Sequence, residues 1–160
     1  MDSEQSQSAA APPAPWYSAY PAPKSDTPNK IVREEVLELL KSVDASGAKD
    51  FVLIDVRRSD YEGGSIRGSI NIPAQSMYTT IASLYVLFKA AGIKKVIWYC
   101  NSSRGRGTRA SIWFQDYLNE KNDNQLESMI LVEGIKGWAT SGGEYTERMD
   151  EYVQSYWEKA

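Results

Sequence analysis

Residues 95–109 read KVIWYCNSSRGRGTR, and this stretch decides the fold. Lys95–Tyr99 is short, β-branched or aromatic and bounded by polar residues, which predicts a strand buried on both faces. Beyond Gly107, apolar residues return every three to four positions at Ala110, Trp113 or Phe114, and Tyr117 or Leu118, which predicts a helix. Strand, small polar and glycine-rich loop, and helix thus follow one another within a few residues, and Cys100 stands at the carboxyl end of the strand. Small residues let such a loop curl with its backbone N–H groups turned inward, and the helix amino terminus adds a positive dipole. The result is a cradle for a tetrahedral oxyanion, and the same field stabilises negatively charged sulfur.

The charges agree. Arg104, Arg106 and Arg109 crowd the first predicted helical turn, and no carboxylate lies between Cys100 and Ser111. Cations are unfavourable at a helix amino terminus, so three of them imply an anion to offset. Arg106 is the candidate for a two-point clamp on substrate oxygens, Arg104 shapes the outer potential, and Arg109 is a salt-bridging helix residue.

Outward from the loop, the pattern alternates. Arg33–Ser42 has helical spacing at Val36, Leu37 and Leu40, and Phe51–Ile54 is a β-favouring run ending in Asp55 and Arg57. Ser69–Ile72 before Pro73 predicts another strand, Ser76–Ala91 a helix closed by Gly92, and Met129–Val132 the last strand before a turn-rich EGIKGW segment. Tyr145, Met149, Tyr152, Val153, Tyr156 and Trp157 predict one amphipathic final helix. Alternating strands and helices imply an α/β domain with a parallel sheet covered on both faces and its ligand site beyond the carboxyl ends of the strands.

Composition narrows the chemistry. With 160 residues, 42% hydrophobic and 24% charged, the chain has room for one core. No histidine and a single cysteine exclude histidine acid–base catalysis, cysteine–histidine zinc sites and an internal disulfide. A net charge of −3 gives no field for nucleic acid. The longest apolar stretch, Ile81–Ala91, is too short to span a bilayer, and the polar start lacks a leader pattern, so a cytoplasmic or nuclear protein with neither membrane nor nucleic-acid partner is expected. Residues 1–28 hold six of the seven prolines with Ser, Ala and Gln, which predicts a disordered tail ahead of a domain over 29–160.

Segment 100–106 resembles the C-x5-R loop of the cell-cycle dual-specificity phosphatases and the eukaryotic arsenate reductases, both in the rhodanese superfamily. The resemblance extends to Asp55-Val56-Arg57, to Asp60–Pro73, and to the GIKGW motif of 134–138, and covers residues from about 30 to 140. It implies a rhodanese-like central parallel sheet of about five strands. By the same resemblance Cys100 is the nucleophile and Arg106 the oxyanion ligand. The donors Asn101, Ser102, Ser103, Arg104 and Gly105 line the substrate, and Asp55, Arg57, Gly64 and Gly68 are structural. This chain departs from the pattern at Tyr99 and Ser65, where histidine is common, and at Gly105, where the cell-cycle phosphatases carry glutamate. No loop residue can then protonate an alkoxide, which leaves distant Glu62 or Glu133 for that task.

The expected activity is a phosphatase acting through a phosphocysteine on a phosphorylated protein or small oxyanion. The alternatives are an arsenate reductase, a sulfurtransferase carrying a persulfide, and a non-catalytic phosphoprotein-binding module. No metal or bound cofactor is expected. With no second cysteine, an arsenate reductase would need glutathione or a glutaredoxin as external reductant. Oligomeric state has no signature in the sequence.

Overall fold

The structure, a computed structural model, describes residues 12–159. Five strands form one parallel sheet in the order β1-β6-β5-β2-β4. They are β1 (Asn29–Ile31), β2 (Phe51–Asp55), β4 (Ile70–Asn71), β5 (Lys95–Tyr99) and β6 (Glu127–Leu131). A two-stranded antiparallel ribbon joins β3 (Ser65–Ile66) to β7 (Met149–Asp150). The expected rhodanese-like sheet is therefore present, with β5 at its centre between β2 and β6.

Helices cover both faces, for a reason visible in alternate strand residues. Val52, Ile54, Val96, Trp98 and Ile130 face α2 (Ala74–Ala90) and α3 (Arg106–Glu120). Phe51, Leu53, Ile97, Tyr99, Met129 and Leu131 face α1 (Arg33–Ser46) and α4 (Gly134–Ala139). Residues of period two divide between two cores because a parallel strand presents successive side chains to opposite faces. The indole of Trp98, fully buried on the α3 side, has the polar partner it needs: it donates from Nε1 to Ser128 Oγ at 2.9 Å.

Two expectations change, and one strand is added. The turn-rich EGIKGW segment is the helix α4, whose amino end takes its hydrogen-bond partners from another loop. The predicted single final helix is three pieces: α5 (Gly143–Glu147), β7 and α6 (Gln154–Glu158). Met149 pairs with Ile66 in the ribbon and Trp157 is buried, so the helical spacing of their apolar residues reflects burial of separate elements and not one continuous face. β1 has no signal in the sequence, since two of its three residues are exposed at the sheet edge.

The predicted tail is also different over 12–28; residues 1–11 lie outside the described part. Trp16–Ala19 form a 3₁₀ turn, and Trp16, Tyr17 and Tyr20 are half-buried against the α2–α3 face. Tyr20 stacks on Tyr78 with ring centroids 4.8 Å apart, and Trp16 and Tyr20 both meet the edge of Trp113 at 6.0 Å. Trp113 donates from Nε1 to the Pro21 carbonyl at 2.9 Å, and the Lys24 N–H to Asp116 Oδ2 at 3.0 Å. Extended backbone at Pro15 and Tyr20 bounds the turn, the Pro21 carbonyl is left available to a partner, and the aromatic rings supply the apolar area.

Candidate active site

Cys100 follows β5 directly and Arg106 opens α3, so the loop between them is fixed at both ends by regular structure. The sulfur is buried and accepts two backbone hydrogen bonds, from the Ser103 N–H at 3.2 Å and the Gly107 N–H at 3.4 Å. Ser103 reaches this position with φ of 61°, in the left-handed region, and its Oγ accepts from the Cys100 N–H at 3.3 Å. Thr108 Oγ1 donates to the Ser103 carbonyl at 2.6 Å and ties the turn to α3. Asn101 and Ser102 are half-buried, and Arg104 and Gly105 are exposed.

The loop is held from below by α4. The N–H groups of Ile135 and Lys136, at the start of that helix, donate to the carbonyls of Cys100 and Asn101 at 3.0 Å each. Donors that a helix leaves unpaired at its amino end thus fix the back of the loop. Gly134 makes the approach possible: its φ is +58°, and a Cβ there would stand 2.4 Å from the Cys100 carbonyl oxygen.

A second fixed loop, 57–64, faces the first. Asp55 and Arg57 form a fully buried ion pair, with Arg57 Nη2 donating to Asp55 Oδ2 at 2.8 Å. The rest of the guanidinium donates to the carbonyls of Glu62 at 2.9 Å and Gly64 at 2.7 Å. The guanidinium thus divides its donors between the Asp55 carboxylate and the carbonyls of the 57–64 loop, a role a single ammonium could not fill. That loop carries Asp60 to Arg106. Arg106 Nη1 donates to Asp60 Oδ1 at 2.7 Å and Nη2 to Oδ2 at 2.6 Å. The two hydrogen bonds from Arg106 hold the Asp60 carboxyl down at about 2, against the opposing effect of burial.

Asp60, which the sequence shows only as part of a longer motif, is the carboxylate brought to Arg106. Glu133 is instead ion-paired with Arg33. Arg109, expected in a salt bridge, lies over the Tyr17 ring at 3.5 Å. Tyr99, in the position where histidine is common, is buried beneath the loop; its hydroxyl donates to Ser69 Oγ at 2.7 Å and accepts from the Ile66 N–H at 3.3 Å. Burial first, and the nearby charge of Asp55, push that phenol well above its ordinary range, so it is a neutral structural donor. Open grooves flank the loop, one of about 480 Å³ between Asn101 and Tyr156, the other of about 1210 Å³ between Arg104 and Lys136.

A buried thiol under converging N–H groups, at the end of a parallel strand and beside an arginine, defines a cysteine site on a rhodanese-like fold. Residues 33–141 match the rhodanese-like domain family, and the chain belongs to it. It is a cysteine-dependent enzyme of that family. It is similar to Arsenical-resistance protein 2 of Saccharomyces cerevisiae, with 32% identity over 63% of this chain and 83% of that protein. Among solved structures it resembles the As-Sb reductase of Leishmania major, with TM-score 0.68, 22% identity, and coverage of 77% of this chain and 85% of that one. It also resembles a yeast protein tyrosine phosphatase of the rhodanese family, with TM-score 0.64, 22% identity, and coverage of 83% and 99%. At such identity the two structures are likenesses of fold.

Proposed function

We propose that the chain is an arsenate reductase in which Cys100 is the nucleophile, Arg106 and the backbone of Asn101–Gly105 hold the oxyanion, and an external thiol completes the reaction. The observation that carries this reading is the state of Asp60. It is the carboxylate at the clamp, and its two hydrogen bonds from Arg106 keep it ionised, so it holds no proton for an alkoxide leaving group. Arsenate has no alkoxide to expel: the oxygen it loses is a hydroxyl that already bears one proton and takes its second from solvent. The similarity to Arsenical-resistance protein 2 over 83% of its length supports the same choice.

In this mechanism the Cys100 thiolate attacks arsenic, forming an S–As bond as one As–O bond breaks and the oxygen leaves as water with solvent protons. Loop N–H groups and Arg106 stabilise the charge on the remaining oxygens. A thiolate of glutathione or a glutaredoxin then attacks the Cys100 sulfur. An S–S bond forms, the electron pair of the As–S bond stays on arsenic, and arsenic is reduced from the +5 to the +3 state and released as arsenite. A further thiol exchanges with the mixed disulfide and restores Cys100. The grooves beside the loop give such a thiol room to approach.

The same loop supports a second reading, a phosphatase that attacks phosphorus and hydrolyses a phosphocysteine. Five residues between Cys100 and Arg106 favour it over a persulfide-carrying sulfurtransferase, and the absent acid restricts it to esters with good leaving groups. A side-by-side assay decides: arsenate with glutathione and glutaredoxin, an aryl phosphate, and thiosulfate with cyanide. Arsenite release that depends on the added thiol is the expected result. Hydrolysis of the aryl phosphate without arsenite release would overturn the reductase reading in favour of the phosphatase.

A further inference from the structure

Asp60 spends only part of its bonding capacity on Arg106. An ionised carboxylate offers about four acceptor sites. Oδ1 takes the Arg106 Nη1–H and also the Arg58 N–H at 3.3 Å, whereas Oδ2 takes the Arg106 Nη2–H alone among the described residues. Arg106, for its part, has five N–H groups and gives two of them to Asp60. An anion seated on the remaining Arg106 donors shares that guanidinium with a carboxylate whose Oδ2 still has an empty acceptor site and whose side chain is 37% exposed.

Such a neighbour treats oxyanions unequally. An oxygen bearing a proton can donate to Oδ2 and gain a charge-assisted hydrogen bond. A fully deprotonated oxygen meets the same Oδ2 as a like charge on a shared partner, without a proton between them. Asp60 cannot supply the missing proton, because Arg106 keeps it ionised throughout the neutral range.

Resting on the assignment of residues 100–106 as an oxyanion loop, we infer that Asp60 is a specificity-determining residue that selects proton-bearing oxyacids, such as inorganic arsenate and phosphate, over anions without an O–H, such as sulfate and dianionic phosphate esters. The selected proton stays on the substrate oxygen and is shared with Oδ2; Arg106 is the common anchor. This is the chemistry expected of a site for a free inorganic oxyacid and not for a phosphorylated side chain, whose ester dianion has no hydroxyl.

The test is calorimetric binding of inorganic phosphate and of sulfate near neutral pH to the full-length Cys100→Ser protein, which binds without turning over. Phosphate keeps at least one O–H there and sulfate has none. Phosphate should bind about tenfold or more tightly than sulfate, the factor a single charge-assisted hydrogen bond supplies. Adding Asp60→Asn should bring the ratio close to one, mainly by tightening sulfate, and Asp60→Glu should retain a preference for phosphate. A ratio near one in the Cys100→Ser protein overturns the inference even if no Asp60 variant folds. So does an unchanged ratio in folded Asp60→Asn. Loss of all anion binding overturns the oxyanion-loop assignment itself, and the inference with it. Failure of arsenate reduction alongside an Asp60-dependent preference would sink the reductase reading and leave the selection by Asp60 standing.

Discussion

Arg106 and Asp60, 46 residues apart in the chain, meet as a two-point ion pair with N···O distances of 2.7 and 2.6 Å. The pair joins the two halves of the site. Arg106 ends the loop of residues 100–106 that α4 holds, and Asp60 belongs to the loop that the buried Asp55–Arg57 pair holds.

Cys100→Ser should abolish turnover and retain binding of phosphate or arsenate, because a hydroxyl is a poor nucleophile here and the N–H donors of Ser103 and Gly107 remain. Steady-state assay and calorimetry on one preparation check it. Persistent turnover would remove Cys100 from its role.

Arg106→Lys should lower kcat/KM by about a hundredfold or more although charge is kept. An ammonium cannot make two parallel hydrogen bonds to Asp60 and still present donors to an anion. Arg104→Lys, at an exposed position, should cost about threefold or less. Equal, small losses for the two would show that Arg106 does not hold the substrate.

Gly134→Ala should damage activity more than its cost in stability suggests. The new Cβ would stand 2.4 Å from the Cys100 carbonyl and 2.6 Å from that of Asn101, at a φ that L residues rarely adopt. The backbone strain is about 1–3 kcal/mol, and the loop is the part free to move. The expected outcome is a folded protein with a lowered melting temperature and little or no turnover. Full activity would mean that the contact with α4 does not position the loop.

Removing residues 1–25 should lower the melting temperature by about 4–8 °C, as about 2 kcal/mol does for a domain of this size. The deletion strips Trp16, Tyr17 and Tyr20 from Trp113, Tyr78 and Arg109, and leaves the Trp113 N–H without its Pro21 acceptor. An unchanged melt would show that the packed segment contributes nothing to stability.

Acid should weaken the Asp60–Arg106 pair within a defined window. The Asp60 carboxyl sits at about 2 when folded, against about 3.9 for an ordinary Asp, so the pair stabilises fully above the unfolded value. Its contribution fades as pH falls from about 4 to about 2. Denaturant unfolding of the wild type and Asp60→Asn should therefore differ at pH 6 and converge toward pH 2. A gap that widens on acidification would contradict the pairing.

What could be read along the chain was whatever its neighbours in sequence decide. The KVIWY strand, the small-residue loop from Cys100 to Arg106 and the helix after it are contiguous, so residue size, β-branching and apolar spacing suffice to place the thiol at a strand end beside a helix amino terminus. Tertiary structure alone decided what lies opposite. Asp60 reaches Arg106 because Arg57 folds the intervening loop around carbonyls of Glu62 and Gly64, and Gly134 meets Cys100 from 34 positions away. The proline-rich segment carries too few aliphatic residues to register as part of a core, yet Trp16 and Tyr20 find Trp113 and Tyr78, and Tyr17 finds Arg109, once α2 and α3 lie side by side. The last predicted helix failed for the converse reason: Met149, Tyr152 and Trp157 have helical spacing, but the strand partner of Ile66 is a long-range choice, and pairing across 83 residues outweighed local periodicity. Local order is set by short-range sterics and hydration of one segment, whereas a charged pair or a shared core exists only after distant segments have been brought together.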